Sequence, residues 1–376
     1  GVRIMAYTTI DDPSAHFQIA LWTGNTSAPR SITNDGNSDL KPDIVIAKNR
    51  TTNGTDFELY NSTMGTGTEE NLQPNNENGK GTGTTYGQLT AFLTDGFTVN
   101  AGGTNDDKFN ENGSEFVAWQ WKVGGGTTST NNDGNIATTV QANTTAGVSL
   151  VFYTGDGSTS GKNVGHGLGA VPKMIISKDR DGTSSVASWY VYHQGLGSAK
   201  RIALTTPAAV TSPDFGSTTP TSSVYYIGGD TGYVSTNTAS TEYIALAFTD
   251  VQGFSKFGTY TGNGNANGTF VYLGFAPAFL LIKRTNGSSN WNLFDNRRAS
   301  AGGGFADRQD ASRRLFINNS ELESTDTVSG QLDFLSNGFK MRGTQASQNG
   351  STNPYIYMAF AENPFVTSTG IPATAR

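Results

Sequence analysis

Three passages of this chain repeat one another. The first carries Trp22-Thr23-Gly24, then Pro42, the apolar run Ile44-Val45-Ile46 and Lys48. The second carries Tyr153-Thr154-Gly155, Pro172, Met174-Ile175-Ile176 and Lys178. The third carries Tyr260-Thr261-Gly262, Pro277, Phe279-Leu280-Leu281-Ile282 and Lys283. Proline and lysine stand six residues apart each time. Each passage closes on an aromatic strand: Phe116 to Trp121, Tyr243 to Phe248, and Tyr355 to Phe360. A period of about 100 residues exceeds a solenoid turn or propeller blade, which take roughly 20 to 50. It has the size of a small independent domain.

A length of 376 residues suits two or three domains, and the repeat favours three. Only 35% of residues are hydrophobic and 15% charged, while glycine reaches 47 copies. Low charge argues against disorder, and 11% aromatic residues can build cores. The expected surface is neutral and polar. A net charge of −6 and a pI near 5.1 oppose a nucleic-acid partner, which wants a basic face. The basic pairs Arg297-Arg298 and Arg313-Arg314 are isolated. With no cysteine, disulfides, thiolate metal sites and cysteine nucleophiles are excluded. No run of 18 apolar residues exists, so no membrane-inserting helix is expected. The stretch Gly1 to Met5 lacks the apolar core of a signal peptide, and Met5 reads as a natural start.

Helical periodicity is thin, with one weak candidate turn at 307–314. Strand signals dominate. Apolar runs after a proline read as strands covered on both faces. The segments around Phe57, Trp189 and Trp291 read as their antiparallel partners. Asp95-Gly96-Phe97 and Asn337-Gly338-Phe339 carry hairpin signals; the second copy has Ile227-Gly228-Gly229-Asp230 instead. The expected organisation is a leader (1–16), repeat one (17–122), a Gly/Thr/Asn-rich linker (123–148), repeat two (149–252), repeat three (253–365) and a tail (366–376). Phe254 is expected to pack between the second and third repeats. The fold class is all-β, with tandem β-sandwich (jelly-roll or lectin-like) modules and very little helix.

Chemistry-bearing motifs are few. His166, in a glycine-dense turn, reads as a structural residue, because copies one and three have Ser38 and Leu273 near that place. Of the other two histidines, His16 and His193, the second ends a strand with no evident acidic or serine partner, and no Gly-x-Ser-x-Gly elbow supports a serine nucleophile. The stretch Gly79-Lys80-Gly81-Thr82-Gly83 resembles a phosphate loop but neither follows a strand nor opens a helix. Asp106, Asp107, Asn110, Asn112 and Glu115 form an oxygen-rich cluster that suggests Ca²⁺, but Lys108 breaks the EF-hand spacing and a solvated loop is the plainer reading. Asp333 and Glu362 are the carboxylates that a glycoside hydrolase reading would use. Trp189, Tyr192 and Trp291 are candidate glycan-contact aromatics, against the competing reading as core. Lys48, Lys178 and Lys283 are expected to cap strand ends and pair with Asp43, Asp179 or Asp295. No catalytic residue and no cofactor is assigned.

Tyr153–Gly157, Gly165–Ile176, Trp189–His193, Gln252–Gly262 and Tyr357–Phe365 together resemble a repeat domain of virion structural, tail-fibre-like proteins of marine tailed bacteriophages. The opening Met5-Ala6-Tyr7-Thr8-Thr9 and the closing Glu362-Asn363-Pro364-Phe365 resemble the ends of those proteins. The resemblance covers nearly the whole chain and transfers no catalytic residue. It implies a non-enzymatic virion subunit: a tail-fibre, appendage or decoration protein, assembled in the host cytoplasm and displayed on the particle. Its expected partners are copies of itself, other virion proteins and host cell-surface glycan. The alternatives are a glycan-binding module for host recognition and a polysaccharide depolymerase.

Overall fold

A computed structural model describes residues 7–67, 69–81, 86–103, 107–159, 161–182, 187–209, 215–228, 235–298, 313–324 and 331–373. The first unit holds β1 (Phe17–Thr23), β2 (Arg30–Ile32), β3 (Ile44–Asn49), β4 (Glu58–Asn61), β5 (Gln88–Phe92), β6 (Phe97–Asn100) and β7 (Glu115–Trp121). A connector adds β8 (Ser129–Asn131) and β9 (Thr138–Asn143). The second unit holds β10 (Val148–Thr154), β11 (Lys162–Gly165), β12 (Met174–Asp179), β13 (Tyr190–His193), β14 (Ile202–Ala203), β15 (Val224–Ile227) and β16 (Glu242–Phe248). The third holds β17 (Ser255–Thr261), β18 (Phe270–Tyr272), β19 (Phe275–Arg284), β20 (Asn292–Asp295), β21 (Leu315–Phe316), β22 (Leu332–Leu335), β23 (Gly338–Met341) and β24 (Pro354–Pro364). The described residues contain no α-helix, only short 3₁₀ turns at Pro13–Ala15 and Gln194–Leu196. Of the candidate turn at 307–314, residues 307–312 lie outside the described residues. The fold is all-β and sandwich-like.

Sheet order repeats with the sequence. The main sheets run β1-β7-β3-β4, β10-β16-β12-β13-β14 and β17-β24-β19-β20-β21. In each, the opening strand pairs with the closing strand, which pairs with the strand that follows the repeated proline in units one and two and contains it in unit three. The smaller sheets run β2-β6-β5, β11-β15 and β18-β23-β22. Register repeats too. Trp22 faces Phe116, Tyr153 faces Tyr243 and Tyr260 faces Tyr355. These rings stack with centroids 5.2, 5.0 and 4.8 Å apart. Lys48, Lys178 and Lys283 oppose Val117, Ile244 and Ile356, one residue after that stack in every copy. The connector is not a free spacer: β9 and β8 extend the second main sheet beside β10.

The glycine after each opening strand has a steric cause. A Cβ on Gly24, Gly155 or Gly262 would sit 1.8, 2.2 or 2.4 Å from the carbonyl oxygen of Glu111, Thr238 or Gly350. Only glycine lets the two backbone segments approach that closely.

Each main sheet buries both faces. One face packs on its own small sheet: Val45, Ala47, Phe116 and Ala118 in unit one, Val151, Ile175, Ala245 and Ala247 in unit two. The other face enters a core shared by all three units, with Ile44, Val117 and Trp119 from the first and Leu150, Ile176 and Leu246 from the second. Phe17 stacks on Phe360 at 5.3 Å, Trp121 meets Phe279 edge-on at 5.8 Å, and Phe248 meets Phe360 at 6.1 Å. Phe254 is fully buried, edge-on to Phe360 and to the ring of His16. The continuous apolar runs of the sequence therefore have two coverings, the partner sheet and the neighbouring units. The three units form a cluster around that core rather than a line.

Candidate functional site

The most distinctive chemistry lies between the units. Lys48 Nζ donates to Thr55 Oγ1 at 2.9 Å and, across the junction, to the Ser320 carbonyl at 3.4 Å. Lys178 Nζ donates to the Glu77 carbonyl of unit one at 3.0 Å and to the Ala187 carbonyl. Lys283 Nζ donates to the Pro207 carbonyl of unit two at 3.2 Å and to the Arg284 carbonyl at 2.9 Å. The acceptors Ser320, Glu77 and Pro207 each stand five residues beyond Leu315, Leu72 and Ile202, which pair with the strands β20, β4 and β13 in matching positions. Unit one thus holds unit three, unit three holds unit two, and unit two holds unit one. The ring closes within one chain.

Other bonds follow the same circuit. The indole N–H of Trp189 donates to the Gln73 carbonyl and that of Trp291 to the Ala203 carbonyl, both at 2.9 Å. Unit one has Phe57 at this place, which carries no donor. Lys80 N–H donates to the Arg180 carbonyl, and Glu323 N–H to the Arg50 carbonyl. Burial pushes each ring lysine down to about 8; for Lys48 and Lys178 nearby acids oppose the fall, and for Lys283 the Arg284 charge adds to it. The expected pairing of these lysines with Asp43, Asp179 and Asp295 is corrected: their hydrogen bonds go to main-chain carbonyls and, for Lys48, also to the Thr55 hydroxyl. Asp43 instead accepts from the N–H groups of Val123 and Gly125, and Asp179 from those of Asp181 and Gly182. Asp295 accepts from the Trp119 indole at 3.0 Å and the Arg298 Nε at 2.6 Å.

The junction of units one and three carries a buried ionic network as well. Glu323 takes two bonds from Arg50 at 2.9 Å, one from Arg298 at 2.8 Å and one from Arg313 at 3.0 Å. Burial alone would raise its carboxyl, but Arg298 and Arg50 pull it down to about 2.

A repeated asparagine escaped the sequence reading. Asn110, Asn237 and Asn349 are fully buried. Their side-chain oxygens accept the N–H of Asn25, Asp156 and Asn263, just beyond each repeated glycine. The carbonyl of the residue before each one, Phe109, Thr236 or Gln348, accepts the polar tip of the opening aromatic. Each asparagine stands six residues before the stacked closing aromatic, a spacing readable in the sequence.

That finding bears on the suggested Ca²⁺ cluster. The Asn110 side chain binds Asn25, Arg30 and Ser27 instead. Glu115 pairs with Arg50 at 3.3 Å, Asn49 donates to the Asp107 carbonyl, and Asn112 is exposed. Asp106 lies outside the described residues. Among the described residues no group of three or more His, Cys, Asp or Glu is placed to hold a metal.

The glycan-contact aromatics are also corrected. Trp189, Tyr192 and Trp291 are 1%, 3% and 1% exposed, so no sugar reaches their faces. They are core residues whose polar atoms or edges serve packing. His166 and His193 are buried, each with Nε2 against a carbonyl (Thr221, Tyr357) and Nδ1 accepting a nearby N–H. Burial pushes His193 down to about 4. Asp333 sits on β22 paired with Arg342, whereas Glu362 lines an open cleft of about 300 Å³ between units one and three, with Asp12, Asp35 and Arg297. Gly79 is packed against Asp181 of unit two; a Cβ there would lie 2.2 Å from its oxygen.

Three sandwich-like units, closed into a ring by buried lysines, define an all-β protein whose repeated polar residues join its parts. The chain belongs to the family described as a domain of unknown function, DUF7483, which matches residues 12–364. The match runs through all three units and the connector, so the family comprises the whole set rather than one repeat. No curated protein matches the chain, and no solved structure does.

Proposed function

We propose that this chain is a non-enzymatic structural subunit of a phage virion, a tail-fibre, appendage or decoration protein that assembles with copies of itself and with other virion proteins. The observation that carries this reading is the closed ring, in which Lys48, Lys178 and Lys283 each serve the joint to the next unit. A body whose units are joined in this way by buried bonds suits a building block. The resemblance of its motifs to tail-fibre-like virion proteins supplies the particle. Strand β8 ends the seven-stranded sheet with the exposed residues Ser129 and Thr130, an edge that suits pairing with another chain. Mass spectrometry and antibody labelling of purified particles test the reading. The protein is expected on the particle surface; its presence in the lysate but absence from washed particles would refute it.

One observation favours glycan recognition as a second reading. On β18, Phe270 and Tyr272 are 44% and 48% exposed on the same side of the strand, and Lys256 Nζ lies 5.4 Å from the centre of the Tyr272 ring. Adjacent open rings beside a cation make a platform for a sugar face. A glycan array with the Phe270→Ala/Tyr272→Ala variant tests it: binding that survives the double change sinks this assignment.

A further inference from the structure

Unit one holds a buried cluster that has no counterpart among the described residues of the other units. Glu58, on β4, is enclosed. Lys108 Nζ lies 2.5 Å from its Oε1, and Gln73 Nε2 donates to the same oxygen at 2.9 Å. Asn71 Nδ2 donates to the other oxygen, Oε2, at 2.6 Å. Asn71, Gln73 and Lys108 are buried as well. By strand register the positions matching Glu58 are Tyr190 and Asn292, neither of which is acidic. One carboxyl group therefore touches an amine through one oxygen and a primary carboxamide through the other. That is the arrangement of a bifunctional acid–base catalyst set between a nucleophile and an acyl donor.

We propose that Lys108 and Asn71 become joined after folding by an isopeptide bond from Lys108 Nζ to Asn71 Cγ, with Glu58 as the proton carrier. Glu58 takes a proton from the Lys108 ammonium, and the freed lone pair attacks Asn71 Cγ. Glu58 then gives that proton to Asn71 Nδ2 as the Cγ–Nδ2 bond breaks, and takes the remaining excess proton from the new amide nitrogen. Ammonia leaves, and Glu58 passes its proton to water or to the ammonia. Nothing is oxidised or reduced, and no co-reactant is needed. Asn71 is the acyl donor rather than Gln73 because it occupies the oxygen that Lys108 does not touch. One carboxyl can then serve both ends of the transfer. Burial raises the Glu58 carboxyl above the ordinary carboxylate range even with Lys108 beside it. This favours the protonated carboxyl that the transfer requires, and the dry surroundings keep water from competing for Cγ. The staple would tie the chain before β5 to the turn after β6. The inference stands independently of the virion reading.

The test is the denatured intact mass of the full chain. The expected species is lighter than the sequence by about 17 Da, one ammonia. A digest should contain a branched peptide linking Lys108 to Asn71. Lys108→Arg and Glu58→Gln should restore the full mass; if Glu58→Gln does not fold, the arginine variant and the unaltered protein still decide. A full mass in the unaltered protein overturns the proposal. So does a mass loss that persists in Lys108→Arg, which would mark cyclisation at an Asn-Gly site such as Asn53-Gly54. A branch at Gln73 overturns the choice of Asn71.

Discussion

Raising the pH from 7 to 9 should make this protein more stable. Lys48, Lys178 and Lys283 fall from 10.5 to about 8 on folding. Below pH 8 both states hold the proton, and the folded state bears the burial cost of the charge. Between 8 and 10.5 the unfolded chain binds more protons than the folded one, so stability rises with pH. A shift of that size adds about 1.4 kcal/mol per lysine between pH 7 and 9, or about 4 kcal/mol for the three. In urea unfolding at constant ionic strength, that moves the midpoint upward by roughly 1 M. The window closes above pH 10, where unfolded tyrosines ionise while buried Tyr153, Tyr225 and Tyr260 resist, which reverses the sign. Lys178→Met should remove about a third of the rise and strand the carbonyls of Glu77 and Ala187, at about 1–3 kcal/mol each, at every pH. A midpoint that stays flat or falls from pH 7 to 9 would refute the reasoning. A slope unchanged in Lys178→Met would assign the rise to other groups.

Glu323→Gln should cost about 3–5 kcal/mol in urea unfolding, because it leaves the buried Arg298 and Arg50 without their shared anion. In the unaltered protein that contribution, present above the ordinary carboxylate range, should fade as the pH falls toward the Glu323 value of about 2. Trp291→Phe, which copies what unit one has at Phe57, should cost about 1–3 kcal/mol by orphaning the Ala203 carbonyl; no loss in the melting midpoint would mean that water replaces the indole. Gly155→Ala should destabilise by several kcal/mol, on the order of 3, since its methyl would meet the Thr238 oxygen; an unchanged midpoint would contradict the close approach. Residues 149–252 expressed alone should fail to give a cooperative unfolding transition, with dye binding reporting the bared face of Leu150, Ile176 and Leu246.

The strands, the hairpins at Gly96 and Gly338 and the pairing of each apolar run with the segment around Phe57, Trp189 or Trp291 were legible because each is a local pattern or a repeated spacing. What lies over the second apolar face of the main sheets was not. The near-continuous apolar run Val148 to Tyr153 says that both sides are covered, but the same pattern results whether the cover is a small sheet or a neighbouring unit. The lysines were visible as a repeat, and their role was misread for the same reason: acceptors such as Pro207 and Ser320 are carbonyls of ordinary loops, with no side-chain signature. Asn110 failed differently. Its spacing from Phe116 matches those of Asn237 and Asn349 from their aromatics, but its acidic neighbours drew it into a metal reading. Trp189 and Trp291 were placed among surface candidates because an indole suits a sugar as well as a core, and only the fold decides which.

Equivalence separates construction from specialisation. A feature present in all three units, such as the aromatic stack, the glycine approach, the asparagine or the ring lysine, has to serve what the units share, namely folding and joining. Features that break the repeat have no such explanation. In unit one it is Glu58 with Lys108 and Asn71, and in unit three the exposed pair Phe270 and Tyr272. At the ring's closing joint it is the Arg298–Glu323 network, where the other joints have none among the described residues. The last has a physical reason. The first and third units are the two not adjacent in sequence, so chain connectivity does not hold them together and a stronger joint replaces it. The other two exceptions serve no joint between units, which makes them the places where selection for a task beyond joining would leave its mark.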